Sequence, residues 1–191
     1  MDEVTTPERY RQAWRFAAEA HQGQRYPGTE LPYLLHLGYV VLEVAAALQV
    51  ETVEQPVLAM QCALLHDVLE DTAVSYPQLQ ARFGTAVAEG VLALTKDARL
   101  AKEAQMADSL ARIRRQPPEI ALVKLADRIS NLDPPPPYWD STRIAHYRQE
   151  AQQILAALGE ASPLLAERLR RKMAAYAVPA AESHPPAAGI S

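Results

Sequence analysis

The stretch that decides the fold is AMQCALLHDVLEDT, residues 59–72. Its apolar residues recur at intervals of three and four, which predicts a buried helix, extended by its flanks to residues 53–70. His66, Asp67, Glu70 and Asp71 interrupt this apolar run. Burying unpaired carboxylates is costly, and a bound cation would offset that cost. A solvated acidic cap is the alternative, but acidic groups are favoured at helix N-termini and these stand at the C-terminal end.

Two further apolar segments each contain one potential metal ligand. His36 lies in PYLLHLGYVVLEVAAAL, residues 32–48, and Asp127 lies in IALVKLADRISNL, residues 120–132. Alone, His36 fits a hydrogen-bonded core histidine, and Asp127 fits a local ion pair equally well. Together with His66 and Asp67 they place two imidazoles and two carboxylates on three apolar helices. This mixed set of nitrogen and oxygen ligands suits Mn, Fe or Zn better than Ca or Cu(I).

The same segments resemble the HD phosphohydrolase superfamily. HDVLED at 66–71, KLADRISNL at 124–132 and HQGQRYPGTELPYLLH at 21–36 resemble its (p)ppGpp hydrolase branch. This branch contains the RelA/SpoT-type hydrolase domains and the small MESH1-like alarmone hydrolases, and the resemblance extends over residues 9–175. It implies an all-helical HD fold, one Mn ion and removal of the 3′-pyrophosphate of (p)ppGpp or (p)ppApp-type alarmones, the signals of the stringent response.

The resemblance also assigns roles to individual residues. The family's metal ligands match His36, His66, Asp67 and Asp127. Its catalytic acidic pair matches Glu70 and Asp71, whose division of roles stays open. The residues expected to bind substrate are Arg25, Tyr26, Asn131, Arg143 and Tyr147.

Two departures from the family pattern concern the nucleotide. Tyr26 stands where the family has an arginine that stacks on guanine, and Pro27 stands where a lysine approaches the phosphates. The stretch 133–137 reads DPPPP where threonine or basic residues are usual. Hydrolysis of another nucleotide phosphoester (a nucleoside monophosphate, a dNTP or a dinucleotide phosphate) is therefore an alternative function. A non-catalytic nucleotide sensor is a second alternative, against which the intact HD and ED pairs argue.

Two cations flank Asp127 on its predicted helix. Lys124 and Arg128 are expected to share a helix face different from that of Asp127. On that face they would be solvated or ion-paired surface residues at least as readily as substrate contacts.

The apolar pattern predicts an all-α single domain of about eight to ten helices, and the resemblance implies that they form an HD-type bundle. The chain has 191 residues, of which 49% are hydrophobic, and strand signals are scarce. Residues 1–177 are expected to form the hydrolase domain, and the Pro/Ala-rich residues 178–191 a disordered tail. The predicted helices span residues 6–21, 34–48, 53–70, 76–83, 85–94, 97–115, 119–132, 140–158 and 161–176.

The composition of the chain narrows the classes of molecule that it is expected to bind. The net charge of −4 argues against a nucleic-acid groove, whereas a small anionic nucleotide remains compatible because the metal sets the local field. The single cysteine, Cys62, excludes an internal disulfide. No signal-peptide pattern and no long apolar span occur in the sequence, so a cytoplasmic protein without a membrane partner is expected. The oligomeric state is left open.

Overall fold

α-Helices dominate the computed structural model, which describes residues 5–133, 135 and 139–176. Within these residues lie ten α-helices and one short 3-10 helix, Gly159–Ala161, and the only β-pairing is an isolated bridge between Arg25 and Pro32. The predicted all-α fold is therefore confirmed. The α-helices are α1 Thr6–Ala20, α2 Leu34–Val50, α3 Pro56–Leu65, α4 Val68–Asp71, α5 Tyr76–Phe83, α6 Thr85–Leu94, α7 Lys102–Ile113, α8 Pro118–Asn131, α9 Ser141–Leu158 and α10 Pro163–Ala175.

Local signals set several helix ends. The predicted bounds of α5 and α6 match the structure, because Gly84 adopts a φ of 86° between them, a conformation that favours glycine. α7 begins five residues later than the predicted start at residue 97. There a carboxylate oxygen of Asp97 accepts the backbone N–H of Arg99, at 3.0 Å, and this local turn competes with helix formation.

The prediction of one continuous helix over residues 53–70 is wrong. Pro56 begins α3, which ends at Leu65, and α4 begins only at Val68. Nδ1 of His66 lies 2.9 Å from the carbonyl oxygen of Ala63. In an uninterrupted helix that oxygen accepts the N–H of Asp67. His66 and Asp67 therefore lie in a turn between two helices.

The core is built around α8. Every residue from 119 to 130 is buried, and α8 packs against α2, α3, α6, α9 and α10. α6 approaches this core closely at Gly90. A Cβ atom there would lie 2.6 Å from Cδ1 of Ile120 and 3.0 Å from Sγ of Cys62. Asp127 is thus carried into the interior by the most buried helix of the described chain.

Two predictions concern segments at the limits of the description. The expected disordered tail at 178–191 and most of the proline run lie outside the described residues. Among the helices that are described, none combines the length and apolarity needed to cross a lipid bilayer.

Candidate active site

Three predicted metal ligands converge at the turn between α3 and α4. Nε2 of His36, on α2, lies 3.2 Å from Nε2 of His66. Oδ2 of Asp67 lies 2.9 Å from Nε2 of His66 and 3.5 Å from Nε2 of His36. Their ligand atoms all lie within 4.8 Å of one another, and both histidines are buried. Three donors from two elements therefore meet at one point in the interior.

The orientation of His66 fits a metal ligand. A carbonyl oxygen only accepts hydrogen bonds, so the contact with Ala63 places a proton on Nδ1 of His66. Nε2 then faces Asp67 and His36. Metal-binding histidines commonly donate their second N–H to a backbone carbonyl in this way, which fixes the ring. The donor set and its orientation therefore fit a divalent ion bound at this cluster.

Asp127 lies beside the three converging ligands. Its Oδ1 is 3.4 Å from Nε2 of His36 and 3.8 Å from Nε2 of His66. The side-chain amide of Asn131 donates to Oδ1 at 2.5 Å, and the Lys124 ammonium donates to Oδ2 at 2.9 Å. The expectation that Lys124 faces away from Asp127 is wrong, because residues three apart are neighbours on a helix. The place of Asp127 as a fourth ligand stays a prediction.

The cluster holds its carboxylates ionised. Burial raises the pKa of Asp67, but the adjacent His66 and His36 outweigh burial and bring that pKa well below its usual range. Burial likewise raises the pKa of Asp127, and nearby Lys124 and His36 outweigh it and lower the pKa strongly. Both carboxylates are therefore available to a cation at neutral pH.

The imidazoles respond in the opposite direction. Burial lowers the pKa of His36, whereas hydrogen bonds with Asp127 and Asp67 outweigh burial and raise the pKa to about 9. The pKa of His66 is also raised, because the nearby Asp67 carboxylate outweighs burial. In this arrangement protons neutralise part of the negative charge, the role that a bound cation would take over.

A cavity of about 180 Å³ opens next to the cluster. Glu70 and Asp71 line it beside His66, Asp67 and Asp127. Oε2 of Glu70 accepts the backbone N–H of Lys96 at 2.9 Å, and Oδ2 of Asp71 accepts from the side-chain amide of Gln24 at 3.4 Å. The acidic pair thus lines the same cavity as the predicted metal ligands His66, Asp67 and Asp127.

The charges that line this cavity do not balance. The carboxylates are Asp67, Glu70, Asp71, Asp127 and Glu150, and the cations are Lys96, Lys124 and Arg128. With the histidines neutral, the state in which imidazole binds a metal, five negative charges face three positive ones. A divalent cation would neutralise this excess, which is a second reason why the site fits one.

The predicted substrate residues fall into two groups. Asn131 and Tyr147 line the cavity. Arg143 lies outside its lining, with its guanidinium 4.1 Å from the ring centre of Trp139. Arg25 also lies outside the lining, where it donates to the carbonyl oxygen of Glu30. Their roles in substrate binding stay predictions.

Tyr26 reaches the cluster from the loop before α2. Its ring is nearly parallel to that of His36, at an interplanar angle of 15° and a centroid distance of 6.3 Å. Its hydroxyl donates to Oδ2 of Asp133 at 3.3 Å. Burial and the Asp133 carboxylate raise the pKa of Tyr26 to about 12, so the phenol is neutral. Tyr26 thus presents an uncharged aromatic surface near a predicted metal ligand.

Sequence reasoning missed three polar residues that line the cavity: Tyr33, Lys96 and Glu150. The hydroxyl of Tyr33 donates to Oδ2 of Asp67 at 2.5 Å. Its position three residues before His36, on the same helix face, was an available signal. Arg128, which was expected at the surface, is buried instead; it donates to Glu150 at 3.1 Å and lies 4.2 Å from the ring centre of Tyr147.

Comparison with known proteins identifies the family of this chain. The family described as HD domain matches residues 13–164. The guanosine-3′,5′-bis(diphosphate) 3′-pyrophosphohydrolase MESH1 of Danio rerio is 32% identical over 161 residues, covering 82% of this chain and 87% of the relative. Human MESH1 is 31% identical over 160 residues, covering 81% and 87%.

Of two other matches, one covers a smaller share of the relative and the other has a lower sequence identity. The bifunctional (p)ppGpp synthase/hydrolase SpoT of Escherichia coli K12 is 36% identical over 130 residues, 65% of this chain but 18% of that enzyme. The solved structure described as a metazoan ortholog of SpoT that hydrolyzes ppGpp superposes with a TM-score of 0.76 at 24% identity, covering 89% of this chain and 96% of that one. The structural likeness supports the fold, and the sequence matches decide the family: the chain belongs to the HD domain family, within which it is a relative of the MESH1 proteins.

Proposed function

We propose that this protein is a metal-dependent hydrolase that removes the 3′-pyrophosphate of (p)ppGpp or (p)ppApp-type alarmones. The observation that carries the proposal is the shared cavity: the converging His36, His66 and Asp67 lie at one wall, and Glu70 and Asp71 lie beside them. The MESH1 relatives, which this chain matches over most of its length, are named as pyrophosphohydrolases of this type.

His36, His66, Asp67 and Asp127 would hold one divalent ion. We propose manganese, because a set of two imidazoles and two carboxylates suits a borderline divalent metal. When bound, such an ion lowers the pKa of a water molecule and offsets negative charge on the phosphoryl oxygens. Because the cavity lining alone is negative, binding of an anionic substrate is expected to depend on the metal as well.

Glu70 and Asp71 would handle protons. Both carboxylates line the cavity, so one can accept a proton from the attacking water while the other orients that water or protonates the leaving oxygen. The hydrogen bond from the backbone of Lys96 fixes the Glu70 carboxylate. A fixed acceptor needs no reorganisation when the proton moves. We infer that the pair acts together on one water molecule.

The cavity size favours recognition of the phosphate end. Its volume of about 180 Å³ is below the roughly 300–1,000 Å³ typical of pockets that enclose whole ligands. A pyrophosphate group therefore enters, with Asn131 beside it, while the ribose and base rest outside. Tyr26 is the proposed stacking surface for the base. A neutral ring stacks on adenine as well as on guanine, which is why both alarmone types are included.

A substrate screen tests the proposal. Purified protein loaded with Mn is incubated with ppGpp, ppApp, dNTPs and nucleoside monophosphates, and released pyrophosphate and phosphate are measured separately. Release of pyrophosphate from an alarmone with no phosphate from the monophosphates is the expected result. Preferential hydrolysis of a dNTP or monophosphate would favour the alternative phosphoesterase. Tight alarmone binding without turnover would favour the sensor.

The cytoplasmic location expected from the sequence also stays a prediction. Fractionation of cells that produce the full chain, followed by detection of the protein in each fraction, would test it.

A further inference from the structure

Lys96 differs from the other cations that line the cavity. The ammonium of Lys124 is hydrogen-bonded to Asp127 at 2.9 Å, and the guanidinium of Arg128 is hydrogen-bonded to Glu150 at 3.1 Å. Nζ of Lys96 lies 3.8 Å from Oε1 of Glu70, which is too long for a hydrogen bond. Among the described residues that line this cavity, Lys96 is therefore the cation whose side chain makes no hydrogen bond. Two guanidinium nitrogens of Arg128 also lack a partner, but they are buried, whereas the Lys96 side chain is partly exposed.

The backbone and the side chain of Lys96 act separately. The backbone N–H already holds Oε2 of Glu70, at 2.9 Å. The ammonium is therefore not needed to fix Glu70, and 39% of the Lys96 side chain is exposed. An ion pair this exposed is weak and easily exchanged for a partner of higher charge. A phosphoryl group entering the cavity is such a partner.

The peptide around Lys96 is held firmly. The Arg112 guanidinium donates to the carbonyl oxygens at the end of α6, including Thr95 at 2.7 Å. The Thr95 hydroxyl donates to the carbonyl oxygen of Val91 at 2.8 Å. The backbone of Lys96 therefore stays in place when its side chain moves, and the four-carbon stem supplies the reach.

We propose that the Lys96 ammonium leaves Glu70 when substrate binds and pairs with the pyrophosphoryl group that water attacks. This inference rests on the proposed function and deepens it. The exchange has two effects. It places a positive charge beside the phosphoryl oxygens while the water oxygen bonds to phosphorus and the bond from phosphorus to the ribose 3′-oxygen breaks. It also frees Oε1 of Glu70 to accept the proton of that water, and the ribose 3′-oxygen leaves as a hydroxyl once it is protonated. Binding of the pyrophosphoryl group and release of the base therefore occur in one motion of one side chain.

The experiment uses the full, metal-loaded chain and three variants. Lys96→Met keeps the backbone N–H and the length of the side chain but removes the charge, and Lys96→Arg restores the charge. Arg99→Met is the matched control, since it removes one positive charge from the same loop, at a side chain that is 90% exposed and outside the cavity lining. Binding of inorganic pyrophosphate is measured by calorimetry, and ppGpp hydrolysis is measured in parallel.

Lys96→Met is expected to weaken pyrophosphate binding about tenfold to a hundredfold, the worth of a hydrogen bond to a charged group. Its kcat for ppGpp should fall as well, and Lys96→Arg should recover much of both losses. Arg99→Met should match the wild type. Metal content and melting temperature should be the same in all four proteins, because the contact that holds Glu70 comes from the backbone.

Several results would overturn the inference. Pyrophosphate binding by Lys96→Met within twofold of the wild type would exclude the contact. Loss of metal from Lys96→Met would make Lys96 a structural residue. An equal loss in Arg99→Met would reduce the effect to net charge. Failure of the wild type to hydrolyse any alarmone would instead refute the proposed function, and the pyrophosphate measurements would still decide the role of Lys96.

Discussion

The Tyr33 hydroxyl donates a 2.5 Å hydrogen bond to Oδ2 of Asp67, the carboxylate oxygen that also faces both imidazoles of the cluster. Burial, reinforced by the Asp67 charge, raises the pKa of Tyr33 well above its usual range, so the phenol keeps its proton and remains a donor. Tyr33 thus orients the carboxylate of a predicted metal ligand.

Tyr33→Phe is expected to weaken metal binding about 10–100-fold, the usual cost of losing a partner that orients a metal ligand. The fold should persist, because only the hydroxyl is removed from a buried ring. Titration of the metal-free variant with Mn, followed by calorimetry, measures the change. Tyr76→Phe removes the hydroxyl that donates to Glu89. That bond is remote from the site, so this control should bind metal normally.

His66→Ala and Asp127→Ala are expected to lose most of the bound metal and nearly all hydrolysis, since each removes one proposed ligand. Metal content measured by elemental analysis after gel filtration checks this result. Glu167→Ala, which removes an exposed carboxylate from α10, is the matched control and should keep both. Full metal occupancy in Asp127→Ala would remove Asp127 from the ligand set and leave three protein ligands.

Glu70→Gln and Asp71→Asn are expected to separate chemistry from metal binding. Each keeps the shape of the side chain but removes the proton acceptor, so the rate should fall on the order of 10²-fold or more while metal and fold are retained. Steady-state kinetics with the best substrate, together with metal analysis, provides the measurement. Near wild-type turnover in either variant would show that this residue only lines the cavity wall.

Tyr26→Ala is expected to raise KM for guanine and adenine alarmones by similar factors, because stacking contributes equally to ground and transition states. A loss of roughly 1–3 kcal/mol corresponds to one stacked base. Tyr26→Phe keeps the ring but loses the hydrogen bond to Asp133, and it should retain most of the affinity. A strong guanine preference in the wild type would mean that another residue reads the base.

Removal of the metal is expected to destabilise the fold. A ligand that binds only the folded state adds about 2.7 kcal/mol when present at a hundred times its dissociation constant. For a chain of this size each kcal/mol shifts the melting temperature by about 2–4 °C. Excess chelator should therefore lower that temperature on the order of 5–10 °C, as measured by circular dichroism. An unchanged temperature would argue against a resident metal in the core.

The sequence predicted helix ends well where glycine or proline residues set them. Gly84 separated two short helices at the predicted residue, and prolines marked several starts. The break after Leu65 was not predictable from periodicity. The break depends on the hydrogen bond between the His66 side chain and the backbone carbonyl of Ala63. The hydrophobic pattern does not reveal that bond. The helical periodicity alone therefore predicted one continuous helix through the turn that contains His66 and Asp67.

The cluster itself was predictable because its residues interrupt apolar helices. His36, His66 and Asp67 are polar where burial is expected, and the structure brings them together. Tyr33 and Lys96 were not predicted for opposite reasons. A tyrosine in an apolar segment is usually a core residue, and a lysine in a loop is usually an exposed surface residue. Their proximity to the carboxylates is a tertiary property.

The absence of a side chain at Gly90 limits the mutations that the protein can tolerate at this position. α6 leads directly into Thr95 and Lys96, whose backbone N–H holds Glu70. A larger residue at Gly90 would collide with Ile120 and Cys62, so either those side chains must repack in the core or α6 must move outward and carry that N–H with it. An outward movement of α6 would displace the donor that holds Glu70 while leaving every side chain of the candidate site unchanged. Substitution at this interior position is thus constrained by the position of the Lys96 N–H as well as by packing.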